Sequence, residues 1–243
     1  MDNQKDSIGK PVVDSGPRKR GVGSVRAAYC DVDGTLAATT IVRPLIWFKF
    51  NELGWPLAFL WTLTLGIRGP WWMLLDWFNR ENSNRAIYAS YSGMDADNLK
   101  EQAPVCYAQY IKPRLFSEGL ELLKTYRRDG VKIVLVTGGI DSIMRPLAAF
   151  LGAECIAPGL DELNGILTGA IIPAPLSGQR KANAIHVHAA ENGVDLAQSY
   201  ALGDSISDLQ MLECVGHPIA VNPDGRLAKI ATERGWRKER WRK

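Results

Sequence analysis

Residues 29–40 read YCDVDGTLAATT, and they pose one problem: an apolar strand ends in two aspartates and a glycine. In a strand, residues i and i+2 share a face, so Asp31 and Asp33 point to one side. Two carboxylates so placed repel each other. Left alone, one would have a raised pKa; a divalent cation would keep both ionised, and hard oxygen ligands with water suit Mg²⁺. The tripeptide DVD alone reads equally as a nucleotide-sugar metal motif, or as solvated turn residues for which Asp and Gly are favoured on backbone grounds.

Outward from this stretch, strand and helix signals alternate. FSEGLELLKTYRRDG reads as an amphipathic helix stopped by Gly130, and VKIVLV after it is a continuous β-branched run of the kind found in buried parallel strands. DSIMRPLAAFLG reads as the next helix and CIAP as a short strand. LDELNGILTGAIIP carries the Asn164-Gly165 pair between apolar runs, a hairpin signal. GQRKANAIHVHAAENG then reads as a helix, SYALGD as a strand, DLQMLECVG as a helix, HPIAVN as the last strand and DGRLAKIATERG as a closing helix. The fold class expected is α/β, a doubly wound parallel sheet with a Rossmann-like core.

Between the first strand and this alternation lies different material. Six of the eight tryptophans fall within residues 39–111, at 47, 55, 61, 71, 72 and 77, and the punctuation by Asn51, Gly54, Pro56, Gly69 and Pro70 leaves lengths that suit helices. The expected organisation is an arm over residues 1–24, a core over 25–38 and 112–236, a mainly helical cap inserted at 39–111, and a basic tail at 237–243. Low apolar content marks the arm as disordered.

Composition narrows the function. A net charge of +3, from 29 basic and 26 acidic residues, gives no reason to expect nucleic acid. Cys30, Cys106, Cys155 and Cys214 stand at isolated spacings and no apolar leader opens the chain, so free thiols and a reducing, cytoplasmic setting are expected.

Three later stretches bear on the aspartates. VTGG at 136–139 follows a predicted strand and offers the Thr137 hydroxyl and the Gly138 amide where a helix start favours an anion; a capping Thr explains Thr137 equally well. Lys181 opens the helix after the hairpin. ALGDSISD at 201–208 ends a third predicted strand in Asp204, with Asp208 four residues on, on the same helical face. In order and content, DVDGT, VTGG, Lys181 and GDSISD resemble the four motifs of the haloacid dehalogenase-like superfamily. The placement of the cap resembles its phosphoserine phosphatase-like branch, subfamily IB.

That resemblance implies a Mg²⁺-dependent phosphomonoester hydrolase working through an aspartyl phosphate. Asp31 would be the nucleophile and Asp33 the general acid and base. Asp31, the backbone carbonyl of Asp33 and Asp204 would hold the metal, while Thr137, Gly138 and Lys181 would neutralise the phosphoryl oxygens and Asp208 would orient Lys181 or metal waters. An acid at position 33 favours phosphatases over dehalogenases, which lack one there. Phosphoserine phosphatases carry a Glu shortly after the first motif to receive the substrate's ammonium; residues 35–45 here, TLAATTIVRPL, contain no acid.

The run GWPLAFLWTLTLGI at 54–67 is uncharged, and at about 1.5 Å per residue it is too short to cross a roughly 30 Å hydrocarbon core. It reads either as a buried cap helix or, with the neighbouring Trp, Arg43, Lys49, Arg68, Arg80 and Arg85, as a peripheral membrane-interface element. The basic stretches RGWRKERWRK and PRKR add either lipid attraction or solvated termini. The expected substrate is accordingly a phosphorylated lipid of the lysophosphatidate or phosphatidylglycerol phosphate type. Two alternatives stand beside it: a soluble small-metabolite phosphatase using the aromatic block as a homodimer interface, and a membrane-associated phosphate-binding scaffold. His186 and His188, two apart on a helix, face different directions and share no metal, and Cys30 packs in the core away from Asp31.

Overall fold

A computed structural model describes residues 24–78 and 80–242; the expected disordered arm and the PRKR stretch therefore lie outside the described residues, apart from Ser24. The chain runs β1 (Ala27–Cys30), α1 (Val42–Leu63), α2 (Leu65–Phe78), α3 (Arg80–Tyr88), α4 (Ala96–Cys106), α5 (Ser117–Arg128), β2 (Lys132–Val136), α6 (Asp141–Leu151) and β3 (Glu154–Ile156). It continues through β4 (Gly159–Leu163), β5 (Ile166–Ile172), α7 (Gln179–Asn192), β6 (Tyr200–Gly203), α8 (Leu209–Glu213), β7 (His217–Val221), α9 (Gly225–Glu233) and β8 (Arg237–Glu239).

Six strands form one parallel sheet in the order β3-β2-β1-β6-β7-β8. All four residues of β1 are fully buried, as a central strand covered on both faces requires. The chain winds outward through β2 and β3 on one side of β1 and through β6, β7 and β8 on the other. The C-terminal end of β1 is thus the switch point, where open α/β sheets place their ligands. Gly152 and Gly193 end α6 and α7 in the left-handed region, satisfying the last carbonyls of each helix.

Two features depart from the sequence reading. HPIAVN is not the last strand: β8 pairs with β7 in the stretch read as a basic tail. Trp241 is buried there, with Asn222 Oδ1 accepting from its backbone N–H at 2.9 Å and its ring against Phe116. Gly119 makes the room, since a Cβ there would come within 2.7 Å of the Trp241 ring. The cause is tertiary: a charged edge strand has no apolar alternation to announce it. Trp241→Ala is expected to lower stability by about 3 kcal/mol in urea unfolding, as for other buried aromatic truncations; a loss below about 0.5 kcal/mol would mean the segment is only draped on the surface.

The second departure is the hairpin. β4 and β5 turn at Asn164 and Gly165, both at positive φ, as the Asn-Gly signal demands. They form their own two-stranded sheet, and β5 bonds to the cap segment: Gly93 N–H donates to Leu167 O at 2.9 Å and Leu167 N–H to Met94 O at 2.8 Å. Chain assigned to the core by sequence order therefore supports the cap.

Among its described residues the stretch 39–111 is mainly helical, as expected. Within α1, Gly54 breaks the helix at φ 70° and ψ 164°, two residues before Pro56, whose ring cannot follow a regular turn. The uncharged run is split between α1 and α2, and among the described residues no helix is long and apolar enough to cross a membrane. Nor is the run a buried cap helix. Trp55, Leu57, Phe59, Leu60, Leu63, Ile67 and Trp71 are exposed, Ile67 to 82%.

Candidate active site

The sheet brings four distant segments to one rim. Asp31 follows β1, Thr137 and Gly138 follow β2, Asp204 follows β6, and Lys181 lies in the first turn of α7. Asp31, Asp33, Gly138, Lys181, Asp204 and Asp208 line one cavity of about 240 Å³. Asp31, Lys181 and Asp208 are nearly inaccessible, whereas Asp33 and Asp204 are half-buried.

Charge organises the floor. Lys181 Nζ donates to Asp31 Oδ1 at 2.6 Å and to Asp208 Oδ1 at 2.7 Å. Burial raises the Asp31 carboxyl above the usual carboxylate range; the Lys181 ammonium pulls it back and Asp208 adds to the rise. Burial alone would lower the Lys181 pKa, but Asp208 and then Asp31 outweigh it and hold the ammonium above its ordinary value. Both carboxyls thus share the Lys181 ammonium.

Asp208 does not continue a helical face from Asp204. The chain makes a single 3₁₀ turn at Ile206–Asp208, and Asp208 Oδ2 accepts from the backbone N–H groups of Asp204 and Ser205, both at 3.3 Å. Its two oxygens are thus committed to Lys181 and to the loop carrying Asp204. Asp224 steadies the loop from the far side by accepting from Ile206 N–H at 2.9 Å while capping α9.

Thr137 is fully buried, and its Oγ1 accepts from Gly139 N–H at 3.0 Å. It closes the turn rather than lining the cavity, which Gly138 does. Sequence reasoning did not tie Thr35 to the carboxylates, yet its hydroxyl lies 3.4 Å from Asp31 Oδ2 and 3.2 Å from Asp204 Oδ1, bridging two strands. It also gave nothing for Asn84, Ser177 and Ser207, which line the cavity from outside the motifs. The cap closes over the rim: Tyr88 OH donates to Gly138 O, and Arg180 Nε meets Glu81 Oε1 at 3.0 Å.

Carboxylate oxygens of Asp31, Asp204 and Asp208 lie within 4.8 Å of one another; with Asp208 committed to Lys181 and the loop, Asp31 and Asp204 are the hard oxygens that fit a small divalent cation. Gly34 keeps that space open. It sits at φ +83°, and a Cβ on it would stand 2.2 Å from Asp204 Oδ2. Gly34→Ala is expected to weaken divalent-metal activation by on the order of 10- to 100-fold, because Asp204 must move. A titration of activity against Mg²⁺ that superimposes on that of the unaltered protein would show that the carboxylate has no such constraint.

The histidines stay apart. His188 Nδ1 meets Tyr29 OH at 3.0 Å under the sheet, while His186 Nε2 lies 3.5 Å from Cys214 Sγ. All four cysteines are free, and burial pushes the Cys106 and Cys155 thiols up to about 12.

Against known families, the one described as haloacid dehalogenase-like hydrolase matches residues 28–213. The chain belongs to that family. Within it, a probable phosphatase of Mycobacterium tuberculosis is 35% identical over 146 residues, covering 60% of this chain and 50% of its own. A phosphoserine phosphatase of the same organism is 28% identical over 241 residues, covering 93% of this chain and 74% of its own. The chain thus spans about half the length of the first of these. Among solved structures, a Bordetella pertussis protein of unknown function superposes with a TM-score of 0.76 at 23% identity, over 89% of this chain and 98% of that chain. A phosphoserine phosphatase in apo form superposes at 0.63 and 19% identity, over 84% and 90%; both likenesses speak to fold.

Proposed function

We propose that the chain is a metal-dependent phosphomonoester hydrolase. The observation carrying this reading is the Asp31 carboxylate, buried at the end of the central strand and held by Lys181 at 2.6 Å in a cavity shared with Asp33, Gly138 and Asp204. In the first half-reaction an Asp31 oxygen bonds to phosphorus, the ester P–O bond breaks, and Asp33 gives its proton to the leaving oxygen. In the second, Asp33 takes a proton from a water that attacks the aspartyl phosphate, releasing phosphate and freeing Asp31. The Lys181 ammonium and the Gly138 amide stabilise the equatorial oxygens. Asp31, the Asp33 carbonyl and Asp204 would hold Mg²⁺, which when bound supplies charge neutralisation and fixes the phosphoryl group.

Phosphoserine phosphatases among the relatives favour a small-metabolite phosphate as substrate. The absence of an acid over residues 35–45 argues against an ammonium-bearing one. A second reading concerns setting. The exposed apolar face of α1 and α2, with Arg68 as the one charged residue between Glu52 and Asp76, favours attachment to a membrane interface and a lipid phosphate as substrate.

Phosphate release from a panel of sugar, glycerol, amino-acid and lipid phosphates, with Mg²⁺ and with EDTA, tests the chemistry. Turnover lost in EDTA and restored by Mg²⁺ is expected; no release from any ester would end the proposal. Flotation with phosphatidylglycerol vesicles tests the setting, and a protein that stays with the soluble fraction and elutes as a dimer would replace the membrane by a second copy.

A further inference from the structure

One cap residue is polar, buried and unused. Asn84, on α3, is 4% exposed, and its carboxamide makes no hydrogen bond with any described residue. The amide contributes no hydrogen bond to the fold while still reaching open space in the cavity. Its placement gives the amide a use. Asn84 lines the catalytic cavity, and its Nδ2 lies 3.6 Å from the point where a Cβ on Gly138 would stand.

The catalytic cavity is not closed on the cap side. It joins a groove of about 1120 Å³ between cap and core, and Asn84, Ser177, Ser207, Thr40 and Ile41 line both spaces. Ser177, from the core, is likewise buried. From Ile41 at this junction an apolar wall continues through Leu65 and Trp72, in a groove whose lining also includes Glu81, Asp224 and Arg226. A phosphoryl group seated over Asp31 therefore directs its leaving group past two buried polar side chains and then along apolar surface.

Resting on the phosphatase reading, we infer that Asn84 is a substrate-binding residue that selects the leaving group. The group selected carries an uncharged hydrogen-bonding oxygen next to the ester and an apolar portion beyond it. Asn84 donates to that oxygen, Ser177 faces it from the core, and the wall of Ile41, Leu65 and Trp72 covers the apolar portion. A carboxamide suits a hydroxyl or ether oxygen and offers no charge to an ammonium or a carboxylate.

Two soluble series test this on the full chain with Mg²⁺: glycerol 3-phosphate with its 1-O-butyl, hexyl and octyl ethers, and n-alkyl phosphates of matched length without the hydroxyl. Expected in both is a rise in kcat/KM of about threefold per methylene until the groove is filled. The hydroxyl-bearing series should run about tenfold ahead. Asn84→Ala should erase that lead, mainly through KM, while the melting midpoint holds or rises; a merely structural Asn would lower the midpoint instead. Ser177→Ala provides an independent second variant with the same expected direction. A flat dependence on length with normal turnover, or an Asn84→Ala enzyme that keeps the lead, overturns the inference and leaves the phosphatase reading intact. Absence of turnover with every ester removes both.

Discussion

Asp31→Asn should abolish phosphate release, by on the order of 10⁴-fold or more, the scale expected when an enzyme loses its nucleophile. The same substitution should leave folding in EDTA unimpaired or improved, and that split is the informative part. Asparagine keeps an oxygen to accept from the Lys181 ammonium now 2.6 Å from Asp31. It removes one of two buried negative charges that share this single cation. Burial already raises the Asp31 carboxyl, so its ionised form is disfavoured in the folded state relative to the unfolded chain. The sign follows: an acid whose folded pKa is raised makes stability fall as pH climbs from the unfolded value through the folded one. Neutralising the group at pH 7 removes that loss. Activity is measured with Mg²⁺ and the melting midpoint in EDTA; residual turnover within tenfold would take the nucleophile's role from Asp31.

Much of this was legible in the residues because the fold announces itself through local chemistry. The β-branched run before VTGG could hardly be anything but a buried strand, and Asn164-Gly165 fixed a hairpin at the right place. The carboxylates were legible as a candidate site because two acids closing an apolar strand need compensation. What stayed hidden depends on contacts between segments far apart in the chain. Strand β8 is charged and short, and only pairing with β7 and the seat of Trp241 against Gly119 make it ordered. The hairpin's attachment to residues 93–96 has no sequence signature, since backbone hydrogen bonds leave none. Asn84 belongs to the same class: nothing in RENSNRAIY distinguishes the asparagine that turns into the cavity from its neighbours Asn82 and Arg85. The exposure of Trp55 and Ile67 was open for a related reason. An apolar run tells that something must cover it, not whether its own protein does.

Lys181→Met should cost more stability than any other substitution at the rim. The ammonium is 4% exposed and touches Asp31 at 2.6 Å and Asp208 at 2.7 Å, so its loss leaves two buried carboxylates facing each other without a cation. Removing one partner from a buried ion pair typically costs about 3–5 kcal/mol, because the remaining charge keeps its desolvation penalty and loses its compensation. Methionine fills a similar volume, so the effect reads charge and not a cavity. Two further signs separate this cause from a packing defect. Without the ammonium nothing offsets the burial that already raises the Asp31 carboxyl, so the deficit should shrink as pH falls from 7 toward 5 and protons replace the missing charge. Mg²⁺ should also recover part of it, since a cation bound to Asp31 and Asp204 supplies positive charge to the same oxygens. Urea unfolding at pH 5 and 7, with and without Mg²⁺, reads all three. A variant as stable as its parent at both pH values would mean that the acidic cluster does not depend on Lys181, and the physical reason for a lysine at the head of α7 would then lie in phosphoryl binding alone.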